Sequence, residues 1–192
     1  MAIDLERRGL PCHIVVESAD GGEQAVAVRT DFREWLRFGR LLEETGACDP
    51  RVLAGFPDEV PDGPWQPAAL EFYSAPVACP RREGGPERPR ALDVALDGDY
   101  VVAAFWQAYG VDLTSCDMHW HLFRALLRGL PDSTKLAQAM GWRTWLEGDE
   151  RRKPTTVRRE LRDAWSLPRP DEAELVAMQQ ALFGARSQGG DE

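Results

Sequence analysis

Between Pro57 and Pro89 the chain places eight of its fourteen prolines. Each proline lacks a backbone donor and restricts the residue before it, so neither a long helix nor a central strand can run through this span. The chain is therefore read as an N-terminal hairpin and helix (1–56), a proline-rich loop with a short helix (57–90), a helical domain (91–184) and a flexible tail (185–192). Within the proline-rich part, "WQPAALEFYS" still allows a short helix, with Leu70 and Tyr73 three apart. The stretch from Ala75 to Arg90, "APVACPRREGGPERPR", has neither apolar periodicity nor good helix formers, and reads as an exposed, mobile loop.

Ahead of the prolines, "CHIVVE" and "QAVAVR" are β-branched or alternating, and "SADGG" between them carries the glycines a reversal needs. "TDFREWLRFGRLLEETG" follows as a helix. Asp31 and Glu34 have the spacing of a capping box, Phe32, Trp35, Leu36 and Leu42 make the apolar stripe, and Gly46 ends it.

Beyond the prolines the pattern is helical throughout. "LDGDYVVAAFWQAYG" starts at a cap on Asp97, sets Val101, Ala104, Phe105 and Ala108 at i, i+3, i+4 and i+7, and closes on Gly110. "MHWHLFRALLRGL" comes next, then "DSTKLAQAMGWRTWLEG", which Gly141 weakens. "TTVRRELRDAWSL" carries Val157, Leu161, Ala164 and Trp165 on one face. "PDEAELVAMQQALFG" opens with a second capping box, Asp171 to Glu174, and closes near Gly184. The fold class expected is mainly α, a small N-terminal β-hairpin followed by a helical domain of about five to six helices.

Composition narrows the function. An apolar fraction of 43% and seven tryptophans indicate a packed protein, and 192 residues can bury a sizeable core. A net charge of −9 argues against a nucleic-acid coat. Cys12, Cys48, Cys79 and Cys116 form no CxxC pair, which fits reduced thiols in a cytoplasm. No stretch is long and apolar enough to span a bilayer, so no membrane partner is expected.

The densest chemistry lies in "SCDMHWHLFRALL", where Cys116, Asp117, His119 and His121 crowd together. On a helix His119 and His121 point nearly 200° apart and do not share a metal. His121 falls with Arg124 and Arg128 on a polar face, whereas His119 falls with Phe123, Leu126 and Leu130. Thr114 and Asp117 read as an acidic capping pair, with Leu113 and Met118 as a hydrophobic staple. Cys116 and His119 supply two ligands where zinc needs three or four. A metal-dependent enzyme built on them is the least favoured reading. GxSxG, HExxH, P-loop and GxGxxG motifs are absent, so no catalytic residue, metal or cofactor is expected. The basic run Arg151, Arg152, Lys153, Arg158, Arg159 and Arg162 reads as a solvated helix face or the mate of an acidic partner.

The aromatics point to binding. Trp106, Tyr109, Trp120, Trp142, Trp145 and Trp165 spread over four expected helices, more large rings than one bundle core of this size needs. Core filling takes most of them. Trp106, Tyr109 and Trp120, on faces too wide for a single neighbour, are the expected anchors for a partner helix. Phe105, Phe123 and Leu126 are expected in the core.

"TDFREWLRFGRLLEE", "ALEFYS" and "ALDVALDGDYVVAAFWQAYGVDLTSCDMHWHLFRALLRGLPDSTKLAQAMGWR" resemble the phage family named for its gene product fifteen. Similarity runs over roughly residues 10 to 168. The most specific elements are Tyr-Gly-x-Asp-Leu and His-Trp-x-x-Phe-x-x-Leu, with His121 where the family usually has a second aromatic. The resemblance implies a non-enzymatic tail assembly chaperone of long-tailed phages and prophages, acting in the cytoplasm of the bacterial host. Its implied partner is the tape-measure protein, with the tail tube protein and a second copy of the chain as further candidates. The alternative is a structural tail or head–tail component kept in the virion.

Overall fold

The computed structural model describes residues 6, 9–17, 21–53, 63–74, 89–146 and 156–168. The expected loop lies outside them up to Arg88, as do the basic residues Arg151, Arg152 and Lys153, the last expected helix and the tail. Strands β1 (His13–Glu17) and β2 (Glu23–Ala27) precede helices α1 (Phe32–Thr45), α2 (Trp65–Ser74), α3 (Gly98–Tyr109), α4 (Trp120–Arg128), α5 (Lys135–Arg143) and α6 (Thr156–Trp165), with a short 3-10 turn at Pro50–Val52. The fold is mainly α with an N-terminal antiparallel hairpin, as the sequence pattern predicts. No helix among the described residues is long and apolar enough to cross a membrane.

The described chain falls into two compact units. The first comprises the hairpin, α1, α2 and residues 118–123; the second comprises residues 89–117 and 124–168.

In the first unit β1 alternates strictly, burying Ile14 and Val16 while His13, Val15 and Glu17 face out. It pairs with β2 from His13 opposite Ala27 to Glu17 opposite Glu23. A lone two-stranded sheet is marginal in water, and α2 packs on β1 to cover its apolar face. In α1 the Asp31 carboxylate accepts the Arg33 N–H at 2.9 Å. Glu34 turns instead to Arg37 at 3.2 Å, so only half of the expected capping box forms. Gly46 ends α1 with φ 68°, a conformation that costs a residue with a Cβ.

Packed aromatic rings fill the first core. Trp35, fully buried, stacks on Phe72 at 4.6 Å and meets Phe38 edge-on at 5.3 Å. Phe32 stacks on Phe123 at 4.7 Å, and Tyr73 on Trp120 at 5.3 Å. The Tyr73 hydroxyl sits where a side chain at position 39 would begin, so the ring's seat depends on Gly39. Such pairs add about 0.5–1.5 kcal/mol each beyond the area they bury.

In the second unit Val101, Ala104 and Phe105 of α3 are buried, with Leu136 and Ala139 of α5 and with Leu113 and Trp145. Ala108, the fourth member of the expected stripe, is half-buried. Leu126, expected in the core, is also half-buried; its carbonyl accepts the Tyr109 hydroxyl at 2.8 Å.

Candidate partner-binding surface

The His119–His121 stretch is not helical from its start. Phe32 N–H donates to Met118 O at 2.9 Å, Trp120 N–H donates to Thr30 O at 2.7 Å, and Asp31 bridges His119. These tertiary bonds hold 118–119 extended, and α4 begins only at Trp120. Asp112, not Thr114, organises the preceding turn, accepting from Thr114 N–H and from the Thr114 and Ser115 hydroxyls. Those hydrogen bonds hold its carboxyl below the usual range.

Both histidines serve the packing. His121 N–H donates to His119 Nδ1 at 3.1 Å, so the neutral ring carries its proton on Nε2 and donates to Pro11 O at 2.8 Å. Burial pushes the His119 pKa down, and the bond to Pro11 only partly offsets it. His121 does not face solvent with Arg124 and Arg128: it is buried, its ring 4.4 Å from Phe72 and its Nε2 3.1 Å from Phe72 O. The two rings, expected on opposite faces, lie 5.3 Å apart because residue 119 precedes the helix. Among the described residues no cluster of three or more His, Cys, Asp or Glu is arranged to hold a metal.

The three expected anchors part company. Trp120 is a core residue, 5% exposed, with its Nε1–H donating to Tyr73 O at 3.1 Å. Its place at the extended-to-helical junction, rather than one step round an established helix, turns it inward. Tyr109 is half-buried and its hydroxyl is committed to Leu126 O. Trp106 stands in solvent at 62% exposure, one turn beyond the partly exposed Val102. We expect Trp120→Ala to lose about 3–5 kcal/mol of stability, and Trp106→Ala to stay within about 0.5 kcal/mol of the parent. Urea unfolding of both variants checks this, and equal losses would place Trp106 in the core.

A concave feature of the second unit was not anticipated from the sequence. It is a groove of about 640 Å³ between α5 and α6, with Ala137, Gly141, Trp142, Trp145, Val157 and Leu161 as its apolar wall and Asp132, Gln138 and Arg158 beside them. Thr134 caps α5, accepting from Ala137 N–H at 3.3 Å. Gly141, which costs the helix propensity, has nothing within 4 Å of where a Cβ would stand, and so leaves the groove open. Although α6 is strongly amphipathic, none of its residues is buried, and Val157 is 60% exposed. The signal for the groove was present in the Val157, Leu161 and Trp165 stripe and in Trp142 and Trp145.

Arg143 fixes the groove's geometry. Its Nη1 and Nη2 donate to the Asp97 carboxylate at 2.6 and 2.8 Å, Nη1 also to Ala91 O at 3.0 Å, and Nε to Trp165 O at 2.7 Å. One planar fork thus joins α5, the start of α3 and the last carbonyls of α6. Asp97 is the residue before α3, but its side chain makes no cap bond there. Burial pushes the Asp97 pKa up, yet the bonds from Arg143 and from Asp93 N–H outweigh that and hold it below the ordinary carboxylate range. Lys135 adds a second clamp, its Nζ 4.5 Å from the ring centres of both Trp142 and Trp165.

No curated protein matches this chain, and no solved structure does. Residues 77–167 match the model of the family described as "Bacteriophage Gp15 protein". The match includes α3 to α6 and the whole lining of the groove, and does not extend to the resemblance seen around α1 and α2. The helical second half is thus similar to the bacteriophage Gp15 family, which supports a phage protein of that kind.

Proposed function

We propose that the chain is a non-enzymatic tail assembly chaperone that binds amphipathic helices of the tape-measure protein during tail morphogenesis, and that the α5–α6 groove is where it holds them. The observation that carries this reading is an apolar, tryptophan-lined groove inside the segment that is similar to a phage family. A groove beside a helix with no buried residue suits a partner helix that supplies anchors at i, i+3 and i+7. Shallow contacts of this kind exchange readily, as a chaperone that must leave the finished tail requires. Trp106 gives an exposed aromatic outside the groove for a long client.

The test is co-expression with a tape-measure protein of a long-tailed phage, followed by pull-down. Gly141→Leu fills open space and exchanges a poor helix former for a good one. Stability should rise by up to about 1 kcal/mol. Recovery of the tape-measure protein should fall at least about tenfold, the loss of 1.4 kcal/mol of binding. Undiminished recovery with Gly141→Leu would remove the groove from the interaction. Stoichiometric presence of the chain in purified virions would instead favour a structural tail component.

A further inference from the structure

Given the helix-binding role proposed above, on which this rests, we infer that the client carries an acidic side chain among its apolar anchors. Its carboxylate accepts the indole N–H of Trp145.

Trp145 lines the α5–α6 groove and is 8% exposed. Its Nε1–H is buried and has no acceptor among the described residues. Two other buried indoles of the chain are satisfied. Trp35 Nε1–H donates to Arg29 O at 2.7 Å, and Trp120 Nε1–H to Tyr73 O at 3.1 Å. A buried donor left without an acceptor forfeits the hydrogen bond that water gave it in the unfolded chain. A ligand that brings the acceptor recovers that loss, whereas a purely apolar ligand leaves it in place.

The surroundings select the charge. Helix α6 contributes Arg158 to the groove lining, and the Arg162 guanidinium lies 5.8 Å from the centre of the Trp145 ring. Arg162 Nε donates to Asp163 at 3.0 Å, which leaves Nη1 and Nη2 without an acceptor among the described residues. Those two nitrogens form the fork that grips a carboxylate. Asp132, the acid of the lining, precedes α5, whereas Trp145 follows it. Nine residues of helix, a rise of about 14 Å, separate the two ends. A carboxylate at the Trp145 end is therefore drawn to Arg162 and kept well away from Asp132.

The probes are amphipathic helical peptides with leucines at i, i+3 and i+7, identical except for Glu, Gln or Leu at i+4. Each is titrated into the full chain with its indole nitrogens isotopically labelled, so that binding and the indole proton resonances are read together. The Glu peptide should bind at least about tenfold more tightly than the Leu peptide, as one charge-assisted hydrogen bond allows. That gap should narrow in high salt. The Trp145 indole proton should move downfield with the Glu peptide, while those of Trp35 and Trp120, whose acceptors are in place, stay where they are. Trp145→Phe keeps a ring without the donor, identifies the resonance, and should remove most of the preference for Glu. Arg162→Gln, on a helix with no buried residue, should bring the Glu peptide down to the Gln peptide. A Leu or Gln peptide that binds the parent as tightly as the Glu peptide would overturn the inference and leave the groove a helix site. So would a Trp145 indole proton that the Glu peptide does not move. Failure of every peptide to bind would remove the groove from the proposed function together with the acidic client.

Discussion

Trp35→Ala is expected to lose about 3–5 kcal/mol in urea unfolding, the range for removing a large buried ring. Trp35 is fully buried, is stacked on Phe72 and edge-on to Phe38, and donates its Nε1–H to Arg29 O at 2.7 Å. The substitution removes an indole, opens a cavity among closely spaced rings and leaves that carbonyl without its indole donor. A loss of this size takes a large share of the 5–15 kcal/mol typical of a domain. A variant within about 1 kcal/mol of the parent would mean that these rings do not form one cooperative core.

Arg143→Met should be comparably severe, because it removes one partner of a buried ion pair and strands the other, at about 3–5 kcal/mol. Both side chains are nearly inaccessible, at 6% for Arg143 and 3% for Asp97. The pH dependence tells this from simple loss of packing. In the parent the folded Asp97 pKa is depressed, so its contribution is present above the unfolded carboxyl value of about 3.9 and is lost as pH falls through the lower folded value. Without the guanidinium, burial dominates and raises the folded pKa. The variant should then gain stability as pH falls towards 4, the reverse of the parent. Urea midpoints between pH 4 and 7 read that sign. Asp97→Leu combined with Arg143→Met should recover much of the loss, since no charge is left buried.

Local signals in the sequence were legible where local physics decides. The limits of α2 matched "WQPAALEFYS", and Gly46 and Gly110 ended their helices in the left-handed conformation. Phe105 and Phe123 are in the core as the helical period implied. What was missed depended on distant partners. Bonds from residues 30–32 decide that 118–119 is extended, and this turns His121 and Trp120 inward. Asp97 reads as a cap in isolation because nothing local reveals that Arg143, 46 positions later, takes its carboxylate. The groove escaped for a related reason: its lining comes from two helices whose stripes each look like ordinary core, and only their packing shows which residues remain uncovered.

The way residues 118–123 belong to one compact unit while 124–128 of the same helix belong to the other has a practical consequence for dissecting the molecule. No single cut in the chain separates the two units. A fragment trimmed to the family-matched span, 77–167, would carry Trp120, His121 and Phe123 without Thr30, Phe32, Phe72 and Tyr73, their partners upstream. Its helices would be intact on paper, yet it would bear a sticky aromatic face that the whole protein does not have, and any client captured by such a fragment would report on the scissors rather than on the groove.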